Sequence, residues 1–150
     1  MSKLKQFKNK IKKKYLWRKY HDMAYFFCKG RGLEVGALSS PYTFNADCKL
    51  EYADIYDNDK LREILNKIPL ENLYKNKLVK VKHILKPPKY FFDDIENETF
   101  DFVYSSHSLE HSPNPVAALT EQLRITKSNG IIYSVIPNKK NTYDRFRKVT

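Results

Sequence analysis

The sequence predicts an α/β fold of the doubly wound class, in which helices cover a mostly parallel sheet. Three observations carry this prediction. The length of 150 residues suits one domain, and a 41% content of apolar and aromatic residues is enough for one core. Short apolar runs alternate with amphipathic segments along the chain. Strands that alternate with helices imply right-handed crossovers between parallel strands.

Five segments have the composition of buried strands. The first ends at a glycine turn, and the last is bounded by Asn129-Gly130 and by Pro137. A Pro87-Pro88 pair excludes a helix directly after the third segment. The predicted strands are residues 32–36, 50–55, 78–81, 100–105 and 131–136.

Two helices are predicted between these strands, at residues 59–65 and 115–126. Each has apolar residues at helical spacing, and the second has a proline in its first turn. The predicted buried face of the first helix is Leu61, Ile64 and Leu65. That of the second is Val116, Leu119 and Leu123 with the flanking Ala117 and Ala118. Because a helix connects one strand to the next, the strands are expected to run parallel. Ligands of such sheets bind at the carboxyl ends of the strands.

Residues 1–24 are predicted to form a basic amphipathic arm before a domain of residues 25–150. Nine of the 28 Lys and Arg residues lie in residues 1–20, which contain no Asp or Glu, so the remaining 19 nearly balance the 17 acids. The apolar residues of the arm share one helical face: Leu4, Phe7, Ile11 and Tyr15. Two interpretations remain open. The face packs on its own domain, or the arm contacts an anionic membrane surface from the cytoplasmic side.

Composition excludes several other classes of protein. No apolar run approaches the roughly 20 residues of a membrane-spanning helix, and the N-terminus lacks the apolar core of a secretory signal. Cys28 and Cys48 are too few for a disulfide framework or a structural zinc site. We therefore expect a cytoplasmic protein with reduced thiols. Because the excess charge belongs to the arm, no specific nucleic-acid partner is expected.

The turn after the first strand contains a single glycine. A dinucleotide-binding turn needs three glycines so that a pyrophosphate can approach the backbone, and only Gly36 is present here. NAD and FAD are therefore disfavoured. An acid at the strand end, Glu34, followed by one glycine suits a ligand that has a cationic amino group and a sugar but no phosphate.

An ordered series of motifs resembles the class I S-adenosylmethionine-dependent methyltransferases. Glu34-Val-Gly-Ala with Pro41 resembles the first motif of that family, and Asp54 resembles the acid that holds both ribose hydroxyls. Residues 100–115 resemble the signature of the methyltransferase type 11 branch, and residues 129–137 resemble its fifth strand. The resemblance spans about residues 32–140.

This resemblance implies a Rossmann-like fold, S-adenosylmethionine as the cofactor and methyl transfer to a small-molecule acceptor. It further implies an oxygen acceptor and a role in surface polysaccharide biosynthesis. The implied cofactor-binding residues are Glu34, Gly36, Ala37, Pro41, Asp54, Ile55, Ser105, Ser106 and His107.

The residue types of this set suit their implied roles. Gly36 lets the backbone approach the methionine part of the cofactor, whose carboxylate would meet the amides of a helix after the turn. Asp54 is an acceptor suited to two hydroxyl donors. His107 is the candidate catalytic residue, as a general base on an acceptor hydroxyl.

Each of these residues also has a structural interpretation. Glu34 can brace a turn, Asp54 can be a solvated strand end, and His107 can pack beside the cofactor. The string from His107 to His111, H-x-x-E-H, is also that of the inverted zinc proteases. Two prolines follow it at once, at positions 113 and 115, which disfavours an extended metal-binding helix, so we predict no metal site.

The sequence departs from the family in two respects. The family sheet has seven strands, whereas residue 150 lies about a dozen residues past the fifth predicted strand, so we expect the last strands to be missing. Either the sequence continues, or a partner such as a second copy in a homodimer covers the open edge. Residues 82–85 also lack the acid that the family often places near the adenine.

Two other functions remain open at this stage. One is a nucleic-acid methyltransferase whose basic arm binds phosphates. The other is a non-catalytic domain that keeps the methyltransferase fold.

Overall fold

The centre of the computed structural model, which describes residues 23–67, 78–86, 91–138 and 140, is a five-stranded sheet. Its strands are β1 (Arg31–Val35), β2 (Lys49–Asp54), β3 (His83–Ile84), β4 (Phe100–Ser106) and β5 (Thr126–Val135). Two helices accompany them, α1 (Asn58–Asn66) and α2 (Pro115–Ile125). The strand order is β3-β2-β1-β4-β5, and every pairing is parallel. The predicted fold class is confirmed, and the order reverses between β1 and β4, where such sheets bind ligands.

Successive residues of the central strands supply two separate cores, because side chains alternate across a sheet. Leu33 and Val103 belong to one cluster, which includes Ala118 and Ile125 of α2. Phe102 and Tyr104, which point to the opposite face of β4, belong to the other cluster. That cluster also contains Tyr42 and Phe44 from the segment after β1. Both faces of β1 and β4 are therefore buried, which fixes the carboxyl ends of these strands.

The third strand differs from its prediction. It was expected at residues 78–81 but consists of His83 and Ile84, which pair with the last two residues of β2. The Asn58 side chain explains the shift, because its amide donates to Val79 O at 2.6 Å and accepts from Val81 N at 2.8 Å. Backbone groups that could have joined the sheet are bonded to a side chain instead.

Helix α2 has the predicted start, but the prediction of its buried face is wrong at its three large apolar residues and is confirmed only at Ala118. Asn114 Oδ1 caps it by accepting from Ala117 N at 3.0 Å. Val116, Leu119 and Leu123 are exposed, and the buried residues are Ala118, Glu121, Gln122 and Ile125. The reason is that the Glu121 carboxylate accepts from the buried Phe92 N–H at 2.8 Å and pairs with Arg124, which turns the polar face inward.

The start of β5 also differs from its prediction, because the strand begins at Thr126 and was expected at residue 131. Helix α2 ends at Ile125, and the Thr126 hydroxyl donates to Gln122 O at 2.6 Å. Strand β5 begins there, with an irregularity that separates the pairs Phe100–Thr126 and Phe102–Ile131. Asn129, at φ +65°, lies inside this irregularity, so Asn129-Gly130 is part of β5 and does not mark its start as predicted.

No helix follows β1 among residues 36–48, so the expected helix amides for a methionine carboxylate are absent from that segment. The segment is held by turns and by Glu34 instead. Residues 23–27 are helical, whereas most of the predicted arm lies outside the described residues. Within the described ranges, no helix is long and apolar enough to cross a membrane.

Candidate functional site

A cavity of about 480 Å³ lies at the carboxyl edge of the sheet. Residues that end or follow three neighbouring strands line it: Val35 and Gly36 after β1, Asp54 and Ile55 after β2, and His107 after β4. Side chains of α1 and α2 complete the wall, and most of the lining is apolar. The volume lies in the range of roughly 300–1,000 Å³ that is typical of small-molecule sites.

Gly36 forms a close approach between the β1 turn and the segment after β4. Its φ is +76°, and a Cβ added there would lie 2.7 Å from Ser108 Cβ. Its N–H donates to Ala53 O at 2.8 Å, which holds the turn against β2. A side chain at this position would therefore strain the backbone and displace the segment that forms the opposite wall of the cavity.

Asp54 brings a buried carboxylate to the cavity. One oxygen, Oδ1, accepts from Ile55 N at 2.8 Å and from Tyr56 N at 3.3 Å. Burial raises the pKa of Asp54 above its usual value, and the two N–H groups oppose that rise. The second oxygen makes no hydrogen bond within the described ranges, so it can accept from a hydroxyl in the cavity.

Glu34 braces the loop and is not among the residues that line the cavity. Its two carboxylate oxygens lie 3.0 and 3.2 Å from Tyr42 N, and only 3% of the residue is exposed. Burial raises its pKa to about 7, against the lowering effect of the Tyr42 N–H. This geometry matches the turn-bracing interpretation. Glu34 positions the loop from Gly36 to Tyr42, part of which lines the cavity.

The other predicted cofactor residues divide into two groups. Ile55 and His107 line the cavity, whereas Ala37, Pro41, Ser105 and Ser106 are not in its lining. The Ser105 hydroxyl is buried and shares a hydrogen bond of 2.9 Å with the Ser134 hydroxyl, which ties β4 to β5. Ala37 is buried too, and its carbonyl accepts from Ser40 N at 2.9 Å within the turn after β1.

His107 lies at the mouth of the cavity in a left-handed conformation, at φ +53°. Its N–H donates to Val135 O at 2.9 Å, which anchors the backbone to β5, while 57% of its side chain is exposed. The Nδ1 atom lies 3.7 Å from Glu110 Oε1. The His107 backbone is therefore fixed beside the cavity, and its imidazole is accessible to a small molecule that enters the cavity.

The H-x-x-E-H string does not form a helix of the kind that zinc proteases use. Leu109–His111 is a single 3-10 turn, and the Glu110 carboxylate lies between the two histidines. In the described part of the chain, no group of three or more His, Cys, Asp or Glu residues could hold a metal ion.

Several lining residues were missed by the sequence analysis. Leu38 is one, and its φ of +51° marks a second left-handed position in the wall. Leu85 follows β3, where the family resemblance leads one to look for an acid, and it gives that end of the cavity an apolar surface. Gln122 reaches the cavity from α2. The only sequence signal for Leu38 and Leu85 is their place after a strand, and Gln122 has none.

His83, in the stretch that lacks the expected acid, is engaged elsewhere. Its Nε2 lies 2.6 Å from Glu51 Oε2, and its Nδ1 lies 2.6 Å from Asp94 Oδ2. Burial by itself raises the pKa of Glu51, but hydrogen bonds from Lys82, His83 and Arg31 outweigh it and hold that pKa at about 2. The cluster ties β2 to β3 and to the segment before β4, and His83 is not in the cavity lining.

The sequence was compared with protein-family models and with curated proteins. The family model of a methyltransferase domain, type 11, matches residues 71–134. No curated protein gives a significant match to the sequence.

Solved structures of S-adenosylmethionine-dependent methyltransferases match the fold. One from Thermotoga maritima has a TM-score of 0.51 and 19% identity, and the match covers 91% of this chain and 62% of that one. One from Aquifex aeolicus has a TM-score of 0.42 and 18% identity, with coverages of 76% and 57%. An arsenic(III) S-adenosylmethionine methyltransferase from Chlamydomonas reinhardtii has a TM-score of 0.47 and 17% identity, with coverages of 69% and 37%. The chain thus spans less than two thirds of each of these proteins.

The family match covers less than half of the chain and agrees with the resemblance to class I methyltransferases of the type 11 branch. The Thermotoga structure confirms the Rossmann-like fold class.

Proposed function

We propose that this chain binds S-adenosylmethionine in the cavity at the carboxyl edge of the sheet and transfers its methyl group to a small molecule. The observation that carries the proposal is the Asp54 carboxylate, which lines a mostly apolar cavity at the end of β2 and has one oxygen without a hydrogen bond in the described part of the chain. A nucleoside needs such an arrangement, because its ribose hydroxyls require an acceptor and its base requires apolar surface.

The residues present suit the adenosyl part of the cofactor. Asp54 would accept from the ribose hydroxyls, and Ile55, next to it, would contact the base. Gly36 lets the β1 turn approach Ser108 in the opposite wall, since a Cβ there would lie 2.7 Å from Ser108 Cβ, and so it sets the width of the cavity at this point. The cofactor itself supplies a methyl group activated by a sulfonium, so the chain has mainly to align the acceptor with it.

The acceptor that we propose is a hydroxyl of a small molecule, and a sugar of a surface polysaccharide is the class that the family resemblance favours. His107 supports an oxygen acceptor, because its imidazole lies at the cavity mouth and more than half of it is exposed. An imidazole there can take the proton of the attacking hydroxyl. His107→Gln should lower kcat for such an acceptor and leave cofactor affinity unchanged. A lowered cofactor affinity would indicate a packing role instead.

Isothermal titration calorimetry with S-adenosylhomocysteine tests the cofactor site. Wild-type protein should bind it, and Asp54→Ala should weaken binding by about 10-fold to 100-fold, since it removes a charge-assisted hydrogen-bond acceptor. Asp59→Ala is the matched control, because Asp59 is exposed on α1 and pairs only with Arg62 among the described residues. Failure of the folded wild-type chain to bind would reject the proposal, as would equal affinities of the two variants.

We also propose that the N-terminal region contacts an anionic membrane surface at the cytoplasmic face. Residues 1–20 carry nine basic and no acidic side chains, and the aromatic side chains of Tyr25, Phe26 and Phe27 that follow are exposed. Basic and aromatic groups together suit a headgroup interface. Sedimentation with phosphatidylserine vesicles should show binding that falls on deletion of residues 1–20 and on Phe26→Ser. Unchanged binding of both variants would contradict the proposal.

A further inference from the structure

Helix α2 places a buried amide in the wall of the cavity. Gln122 is only 4% exposed and lines the cavity, and its Oε1 atom has no hydrogen-bond partner in the described part of the chain. Its backbone carbonyl is engaged, because it accepts from the Thr126 hydroxyl at 2.6 Å. A buried acceptor without a partner is costly, so such groups in native folds are usually satisfied by a ligand or a water.

Glu121, the residue before Gln122, shows that buried polar side chains of this helix do not generally lack hydrogen-bond partners. Glu121 is also buried, yet its Oε1 accepts from Phe92 N at 2.8 Å, and its Oε2 accepts from Arg124 Nε at 2.8 Å. The carboxylate of Glu121 therefore has hydrogen-bond partners, whereas the adjacent Gln122, which lines the cavity, has none for its Oε1 among the described residues. Ala118, one turn earlier on the same face, also lines the cavity, and its small side chain leaves space beside Gln122.

A second polar atom of the wall is also without a partner. Ser112 Oγ is buried at the end of the 3-10 turn and makes no hydrogen bond to the described residues. Most of the remaining lining is aliphatic, including Leu61, Ile64 and Leu85. A flat, mostly apolar ring with a hydrogen-bond donor on one edge would fill this space and satisfy the amide.

We propose that the Gln122 carboxamide is a specificity-determining group that accepts a hydrogen bond from the 6-amino group of adenine in the bound cofactor. This rests on the proposed function, since Asp54, which would hold the ribose, lines the same cavity. The charged methionine end of the cofactor is poorly suited to an aliphatic wall, whereas adenine is suited to it. A glutamine carboxamide also pairs well with the amino edge of adenine. The Ser112 hydroxyl is then a second polar group that can form a hydrogen bond to the ring or to a water beside it.

Calorimetry with two ligands tests the proposal: S-adenosylhomocysteine and its analogue in which hydrogen replaces the 6-amino group. Wild-type protein should prefer the amino ligand by about 10-fold or more. Gln122→Met keeps the volume but removes the amide, so it should weaken binding of the amino ligand to the level of the analogue and abolish the preference. Leu123→Met, on the exposed face of α2, is the control and should retain the preference.

Thermal unfolding without ligand separates binding from packing. Because Gln122→Met removes an acceptor that has no partner, the melting temperature of the free protein should equal or exceed that of the wild type. The inference is overturned if Gln122→Met keeps the wild-type preference, if it weakens both ligands equally, or if the free variant melts at a lower temperature. In each of those cases wild-type binding of S-adenosylhomocysteine still supports the proposed function. Absence of that binding overturns the proposed function itself.

Discussion

Replacing Glu34 with glutamine is expected to change how the stability of this protein depends on pH. The carboxylate is buried beside Tyr42 N, and burial raises its pKa from 4.5 to about 7. Between these values the folded protein holds a proton that the unfolded chain releases. The stability associated with this proton is therefore fully present below pH 4.5 and is lost as pH rises through about 7.

The magnitude follows from the same two values. The interval from 4.5 to about 7, at about 1.4 kcal/mol per pH unit, corresponds to a loss of about 3 kcal/mol of unfolding free energy. Glutamine keeps an acceptor for Tyr42 N but does not titrate. The difference in unfolding free energy between Glu34→Gln and wild type should therefore rise by about 3 kcal/mol from pH 4 to pH 8. Any constant packing cost of the amide cancels in this comparison.

Urea denaturation of both proteins at several pH values measures this difference, provided that both unfold in two states. Asp59→Asn serves as the control, because that carboxylate is exposed and should add no comparable pH dependence. If the difference between Glu34→Gln and wild type stays constant within about 0.5 kcal/mol from pH 4 to pH 8, the buried, proton-holding state of Glu34 is refuted.

Three further substitutions test the packing around the site. Gly36→Ala should lower the unfolding free energy by about 1–3 kcal/mol, because φ is +76° and the new Cβ would lie 2.7 Å from Ser108 Cβ; a neutral result in urea denaturation would contradict this. Glu121→Ala should cost about 3–5 kcal/mol by leaving Arg124 without its buried partner, and a loss below about 1 kcal/mol would show that the pair is not buried as described. Leu123→Lys should change stability by less than about 0.5 kcal/mol, because this side chain is 60% exposed, and a large loss of melting temperature would restore the originally predicted face of α2.

Local patterns sufficed for the central strands but not for the edge of the sheet. Strands β1 and β4 are buried on both faces and are rich in apolar residues, and their positions were predicted within one residue. Strand β3 has only two residues, and its position depends on hydrogen bonds from Asn58, which lies 25 residues earlier in the chain. A sequence pattern does not contain that interaction.

The orientation of α2 shows a second limit of sequence periodicity. Its apolar stripe predicted the buried face, but the ion pair of Glu121 with Arg124 and the bond to Phe92 N turned that stripe to the surface. These partners come from another segment of the chain as well as from the helix itself. The free energy gained when the buried Glu121 carboxylate finds its hydrogen-bond partners therefore depends on tertiary contacts. The spacing of apolar residues along the helix does not predict such contacts.

The candidate site was predictable where its residues follow strands. Gly36, Asp54, Ile55 and His107 were predicted from the motif series, and all four line the cavity. Glu34, which belongs to the same motif series, braces the loop and is not in the cavity lining, so its predicted contact with the cofactor stays a prediction. Gln122 was invisible to the sequence analysis because its unpaired acceptor exists only once the helix is packed.

A crystal structure with S-adenosylhomocysteine bound would test the central claim most directly. We expect the ribose hydroxyls to lie within hydrogen-bonding distance of the Asp54 carboxylate, beside the turn at Gly36. A nucleoside bound elsewhere on the chain, or one in this cavity whose ribose points away from Asp54, would contradict it.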